Sequence, residues 1–187
     1  MLDTPQDILI QAQQGDMQAF EKIYAHCCDF VFNIAYKITH DYQDAEEVTQ
    51  DVFLKIFKHL KGFRFQSSFN TWVYRIAVNT GINAYRKKSK NIRGQLQYDD
   101  NIDSQGIAAP QKLHLDKQDT EGLIKSMLDM LNPRQRACII LRDIQGLSYE
   151  QISKVLKINI NTVRSRINRA RKTLLVFRQK GVIKNEL

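Results

Sequence analysis

Glycine and proline are scarce in this chain: 8 and 3 among 187 residues. Few chain breakers, combined with long stretches of 3.6-residue apolar period, point to an all-helical protein. Cysteine is nearly as sparse. Cys27, Cys28 and Cys138 are odd in number and lack zinc-ligand spacing, so they read as free buried thiols in a reducing compartment. No apolar run approaches the length needed to span a membrane. The opening "MLDTPQDILIQAQQGD" is acidic and amphipathic, which argues against a signal peptide and for a cytoplasmic protein. The four histidines (His26, His40, His59, His114) are scattered. With no clustered acid pair, metal set, or nucleophile beside a base, neither a metal, a cofactor nor catalysis is expected.

One further absence is local. Residues 164–180 hold seven Arg and Lys and no acid, and residues 86–93 hold five more basic residues. The net charge is +8, which suggests a polyanionic partner. In "NTVRSRINRARKTL", residues 161–174, Val163, Ile167, Ala170 and Leu174 make an apolar stripe at helical spacing. Arg164 and Arg171 flank one side of the stripe and Arg166 the other, while Arg169, Thr162 and Ser165 lie on the open face. Taken alone, this is either a solvated basic helix face or a surface lying against something strongly negative.

The preceding residues favour the second reading. In "GLSYEQISKVLKINI", Ser148 and Gln151 have capping-box spacing, and Gly146 can end the helix before them. Ile152, Val155 and Leu156 give one apolar face to a helix of about nine residues. "KINI" then interrupts, and Asn159 or Asn161 can cap the basic helix. A short helix, a tight turn and a second helix with a basic outer face describe a helix-turn-helix, whose second member enters the DNA major groove.

The chain divides into two small helical domains, about 1–90 and 120–187. Between them, 91–119 is polar, carries Gly94, Gly106 and Pro110, and reads as a flexible linker. Pro133 sits where a helix can start. Within the first domain, "DAEEVTQDVFLKIFKHL" (44–60) offers Ala45, Val48, Thr49, Val52, Ile56 and Leu60 as a buried face. The opposite side collects Glu47, Gln50, Asp51, Leu54 and Phe57. Apolar residues embedded in an acidic face suggest a protein contact, unless Leu54 and Phe57 pack under a neighbouring helix.

Residues 63–90 interleave Phe63, Phe65, Phe69, Trp72, Tyr74 and Tyr85 with Arg64, Arg75, Arg86, Lys87 and Lys88. Aromatic faces with cations suit single-stranded nucleic acid. The polar loop residues Gln66, Ser67 and Ser68 could line a pocket for an unstacked base, and Asn79 and Asn83 can pair with base edges. Phe69, Trp72 and Ile76 share a face that reads as core, and the asparagines border it, leaving internal hydrogen bonding open.

"DAEEVTQDVFLKIF", "SSFNTWVYRIAVNT", "LSYEQISKVL" and "NTVRSRINRARKTL", in this order and spacing, closely resemble the extracytoplasmic-function sigma factors of bacterial RNA polymerase, group 4 of the sigma-70 superfamily. The resemblance covers nearly the whole chain except the linker. It implies a first domain that opens and reads the −10 element and docks its acidic helix on the β′ clamp of core polymerase. It implies a second domain that reads the −35 duplex and packs on the β flap, and an anti-sigma factor as a further partner. Carried over by motif, Glu47, Gln50, Asp51, Leu54 and Phe57 would contact core polymerase. Arg64, Phe65, Gln66, Ser67, Ser68, Phe69, Arg75, Asn79, Asn83, Arg86 and Lys87 would surround the −10 strand. Thr162, Arg164, Ser165, Arg166, Arg169 and Arg171 would face the −35 duplex. Many members carry aspartate where Asn83 stands here, which bears on −10 preference. A free-standing helix-turn-helix regulator is the alternative, but it leaves the acidic-apolar helix and the aromatic-basic segment without a role.

Overall fold

A computed structural model describes residues 4–93 and 120–177. The described residues form two compact units, the first built mainly from residues 4–85 and the second mainly from residues 120–152 and 158–177. The described residues of both are helical, as the scarcity of breakers predicts.

In the first unit, α1 spans Gln6–Gln13, α2 Met17–Thr39 and α3 Tyr42–His59; a 3-10 turn at Leu60–Gly62 follows, and α4 spans Phe69–Arg93. Each start has a local cause. The Asp16 carboxylate accepts from the backbone N–H of Gln18 and Ala19 at the head of α2, and Asp41 accepts from Asp44 N–H at the head of α3. Ser68 Oγ accepts from Thr71 N–H at the head of α4. Helix α2 ends where His40 adopts φ +57°, the left-handed C-terminal conformation.

Apolar residues on α2 recur at Ile23, Cys27, Val31, Ile34 and Ile38, and all are fully buried. The predicted face of α3 is buried as expected, from Ala45 through Val48, Thr49, Val52 and Ile56 to Leu60. Phe53 joins it. Helix α4 contributes Phe69, Val73, Ala77, Val78 and Ile82. A Cβ placed at Gly81 would stand 3.2–3.4 Å from the Ile38 side chain, so glycine there lets α4 approach α2 closely.

Trp72 and Ile76 do not share fully in this core: both are half-buried. Val73 and Ala77, one position on from each, take the central places, because α4 is rotated so that its Phe69–Val73–Ala77 row points inward. Helix α4 also runs to Arg93, past the expected domain edge at 90. The rest of the expected linker, 94–119, lies outside the described residues, as do the cations beyond 177.

In the second unit, α5 spans Thr120–Asp129 and α6 Pro133–Ile139, with a π-turn at Ile140–Ile144; α7 covers Tyr149–Leu156 and α8 Ile160–Phe177. Pro133 does open a helix, and Asn132 with Gln135 forms a reciprocal capping box ahead of it. Arg136 is completely buried. Its Nε donates to Leu128 O at 2.9 Å, and Nη2 reaches Asp129 Oδ1 at 3.2 Å and Leu131 O at 3.5 Å. The guanidinium thus binds carbonyls where α5 ends, Leu128 O accepting from Leu131 N–H as well, and fastens that end to α6. In the sequence it was one more arginine in a basic chain.

Candidate nucleic-acid and protein interfaces

The helix-turn-helix is built as its capping signals predict. Ser148 Oγ accepts from Gln151 N–H and Gln151 Oε1 accepts from Ser148 N–H, closing the capping box of α7. Gly146 takes φ +71° in the turn before it. Between α7 and α8, Lys157 adopts φ +52°, and Asn159, rather than Asn161, caps α8 by accepting from Asn161 N–H at 2.8 Å.

Along α8, Val163, Ile167 and Ala170 are buried and Leu174 is half-buried, so the predicted stripe does face the core. Arg164, Ser165, Arg169 and Arg171 are exposed and Thr162 is half-exposed. Ser165 Oγ donates to Thr162 O at 3.0 Å, and Arg164 Nη1 lies 3.4 Å from Asn161 Oδ1.

Two arginines are held in place by neighbours. The Arg171 guanidinium donates to Asp143 Oδ1 at 2.7 Å, and this carboxylate raises its pKa further. Arg166 is half-buried; burial lowers its pKa, and its guanidinium bonds the Cys138 sulfur of α6, with Arg134 nearby. Cys138 itself is buried, which pushes its thiol up to about 11 despite the adjacent cation. At the head of α7, Arg142 lies over the Tyr149 ring at 5.2 Å and donates to Leu147 O.

In the first unit the acidic-apolar face is open. Glu47, Gln50 and Asp51 are exposed, and Leu54 and Phe57 retain 56% and 52% of their surface. Phe57 meets the Phe20 ring of α2 edge-on at 5.1 Å, but among the described residues no helix covers Leu54 or Phe57. Cys27 is buried, with burial pushing its thiol to about 11, whereas Cys28 is only half-buried and bonds the Tyr24 hydroxyl.

The loop before α4 presents Arg64, Phe65, Gln66 and Ser68 as exposed and Ser67 as half-exposed. Phe69 is buried and supports the loop from below. Phe65 has φ +55°, a left-handed conformation that a bulky residue rarely adopts. Its ring packs on Phe63 at 5.0 Å, and Phe63 in turn packs on Phe69 and Trp72. Asn79 and Asn83 are exposed, so neither is taken up by the core it borders. Lys87 is exposed and Arg75 and Arg86 are half-buried.

The two faces coincide with two regions of one known family. Residues 23–91 match the model for sigma-70 region 2, and residues 121–174 match that for sigma-70 region 4. The RNA polymerase sigma-H factor of Pseudomonas aeruginosa is 30% identical over 90% of this chain and 91% of its own. The ECF RNA polymerase sigma-E factor of Escherichia coli K12 is 32% identical, over 91% and 92%. Among solved structures, CnrH in complex with the cytosolic domain of CnrY shares the fold, with TM-score 0.67 and 22% identity over 93% of this chain and 96% of that one. The sigma factor RpoE from Bartonella quintana, solved with the anti-sigma factor NepR, gives TM-score 0.64 and 24% identity over 89% and 100%. The chain belongs to the extracytoplasmic-function sigma factors of the sigma-70 family, the subunits that confer promoter specificity on RNA polymerase.

Proposed function

We propose that this sigma factor binds core polymerase through the exposed face of α3 and reads promoter DNA with the loop before α4 and the outer face of α8. The observation that carries the first part is the exposure of Leu54 and Phe57 among Glu47, Gln50 and Asp51. Two large apolar side chains left in water beside carboxylates suit a basic, partly apolar partner surface, which in this family is the β′ clamp. The β flap would take the second domain.

Arg64 through Ser68, carried on the buried Phe69, would hold the single-stranded −10 element with Arg75, Asn79, Asn83, Arg86 and Lys87, by stacking and by phosphate contact. At −35, Arg164, Ser165 and Arg169, with Thr162, face outward and would reach base edges and phosphates. Arg166, drawn toward Cys138, and Arg171, held by Asp143, are suited to fixed phosphate contacts. The domain limits proposed are 1–90 and 120–187, with 91–119 between them. The protein acts without catalysis of its own and in the cytoplasm. An anti-sigma factor, of the kind solved with a structural neighbour, would hold it inactive.

Replacing Asp51 by Lys and Phe57 by Ala tests the core contact. Both residues are exposed, so the fold should persist while capture of core polymerase falls at least tenfold. Undiminished capture by the folded double variant would refute the interface.

A further inference from the structure

We infer that Gln13, at the end of α1, is a positioning residue for the −10 loop, an inference that rests on the reading of residues 64–69 as the strand-binding loop. Four glutamines occur in or beside α1, at 6, 11, 13 and 14. Of these, Gln6, Gln11 and Gln14 are exposed, while Gln13 is half-buried. It lies four residues from Leu9 and next to Ala12, on the inward face of the helix. A polar side chain turned inward needs partners, and this one has two. Its Nε2 donates to Leu60 O at 2.9 Å and to Phe63 O at 2.8 Å.

Those carbonyls bracket the turn Leu60–Gly62, which leads from α3 into the loop. Phe63 N–H also donates to Leu60 O at 3.0 Å. One carboxamide therefore ties both ends of the turn, and Phe63 is the residue directly before Arg64. Two residues on, Phe65 holds φ +55°. A strained conformation at a bulky residue persists only where the surroundings over-determine it. Here the constraints are the Phe63–Phe65–Phe69–Trp72 ring cluster on one side and the Gln13 clamp on the chain leading in. Its two hydrogen bonds reach Leu60 and Phe63, neither of which is proposed to meet DNA. It would act by keeping the loop in its base-accepting shape before the strand arrives, lowering the ordering cost of binding.

The test uses the full chain assembled with core polymerase. The probe is a fluorescein-labelled single-stranded DNA chosen from a randomised pool by the wild-type holoenzyme. Gln13→Met keeps the size and removes both donors, Gln13→Glu opposes a carboxylate to two carbonyls, and Gln13→Lys restores donors. Losing two hydrogen bonds predicts a fall in single-strand affinity of about tenfold for Met, and more for Glu, with substantial recovery for Lys. Capture of core polymerase and binding of duplex −35 DNA should stay within twofold of wild type. Strand affinity unchanged in Gln13→Met would overturn the assignment, as would an equal loss in all three readouts, which a general weakening of the fold would produce. Should Gln13→Met not fold, Gln13→Lys decides: it supports the clamp with wild-type strand affinity and opposes it with an affinity as low as Gln13→Glu. Arg64→Ala runs in parallel. If it too leaves strand affinity untouched, the loop is not the −10 site and the underlying reading fails separately.

Discussion

Replacing Arg136 by Leu should cost the second unit more than any surface arginine could. The side chain has no exposure, and its bonds include two well-formed ones, to Leu128 O at 2.9 Å and Asp129 Oδ1 at 3.2 Å. The contact to Leu131 O, at 3.5 Å, adds little. A hydrogen bond to a charged group is worth ~1.5–3 kcal/mol net, so the pair contributes about 3–6 kcal/mol. Leucine returns part of this by burying apolar surface, ~1.5–3 kcal/mol for a buried side chain. Asp129, half exposed, is resolvated at little cost. The net loss should be about 2–3 kcal/mol, which lowers the melting temperature of a domain this small by roughly 10 °C or more. Far-UV circular dichroism follows both units during melting. Trp72, the single tryptophan, reports on the first unit alone, and its transition should not move. A change below about 1 kcal/mol in the dichroism transition would show that the buried guanidinium does not hold α5 to α6.

Cys27 and Cys138 should resist a thiol reagent such as DTNB in the native protein at pH 8, because burial raises both to about 11, while half-buried Cys28 reacts; three fast thiols without denaturant would contradict this. Since the folded state holds those two protons more tightly than the unfolded chain, whose thiols titrate near 9.0, their contribution to stability is complete below pH 9 and is lost as pH rises toward 11. Urea titrations across that range should show falling stability, and a flat profile would count against buried thiols. On α8, Arg169→Ala should relax base preference at particular −35 positions, a discrimination of about 1–3 kcal/mol. Arg171→Ala, removing a cation fixed by Asp143, should weaken all sequences alike; selection over randomised −35 duplexes with each variant separates the two outcomes.

What the sequence made legible was whatever follows from period and capping. The buried faces of α3 and α8 and the capping box at Ser148 rest on spacing alone, and the structure places them as spacing predicts. Rotation within a helix was harder to read. Trp72 and Ile76 share a projected face with Phe69, yet Val73 and Ala77 occupy the centre of a helix that also meets Ile38 closely at Gly81. The partners of long-range polar contacts left no local trace. Gln13 meets residues about fifty positions away, and Arg136 carries the same charge as the arginines that face outward. One signal was available for Gln13: it sits at helical spacing from Leu9, where an apolar residue is expected.

Whether this chain directs core polymerase to promoters is read most directly by multiple-round run-off transcription. Purified protein is mixed with bacterial core polymerase and a library of templates randomised across the −10 and −35 regions, and the RNA products are sequenced. Transcripts should require both proteins, start at fixed distances from an enriched pair of elements, and disappear with the Asp51→Lys, Phe57→Ala variant. Duplex binding by the chain without any polymerase-dependent transcript would contradict this role, and would leave a free-standing helix-turn-helix regulator in its place.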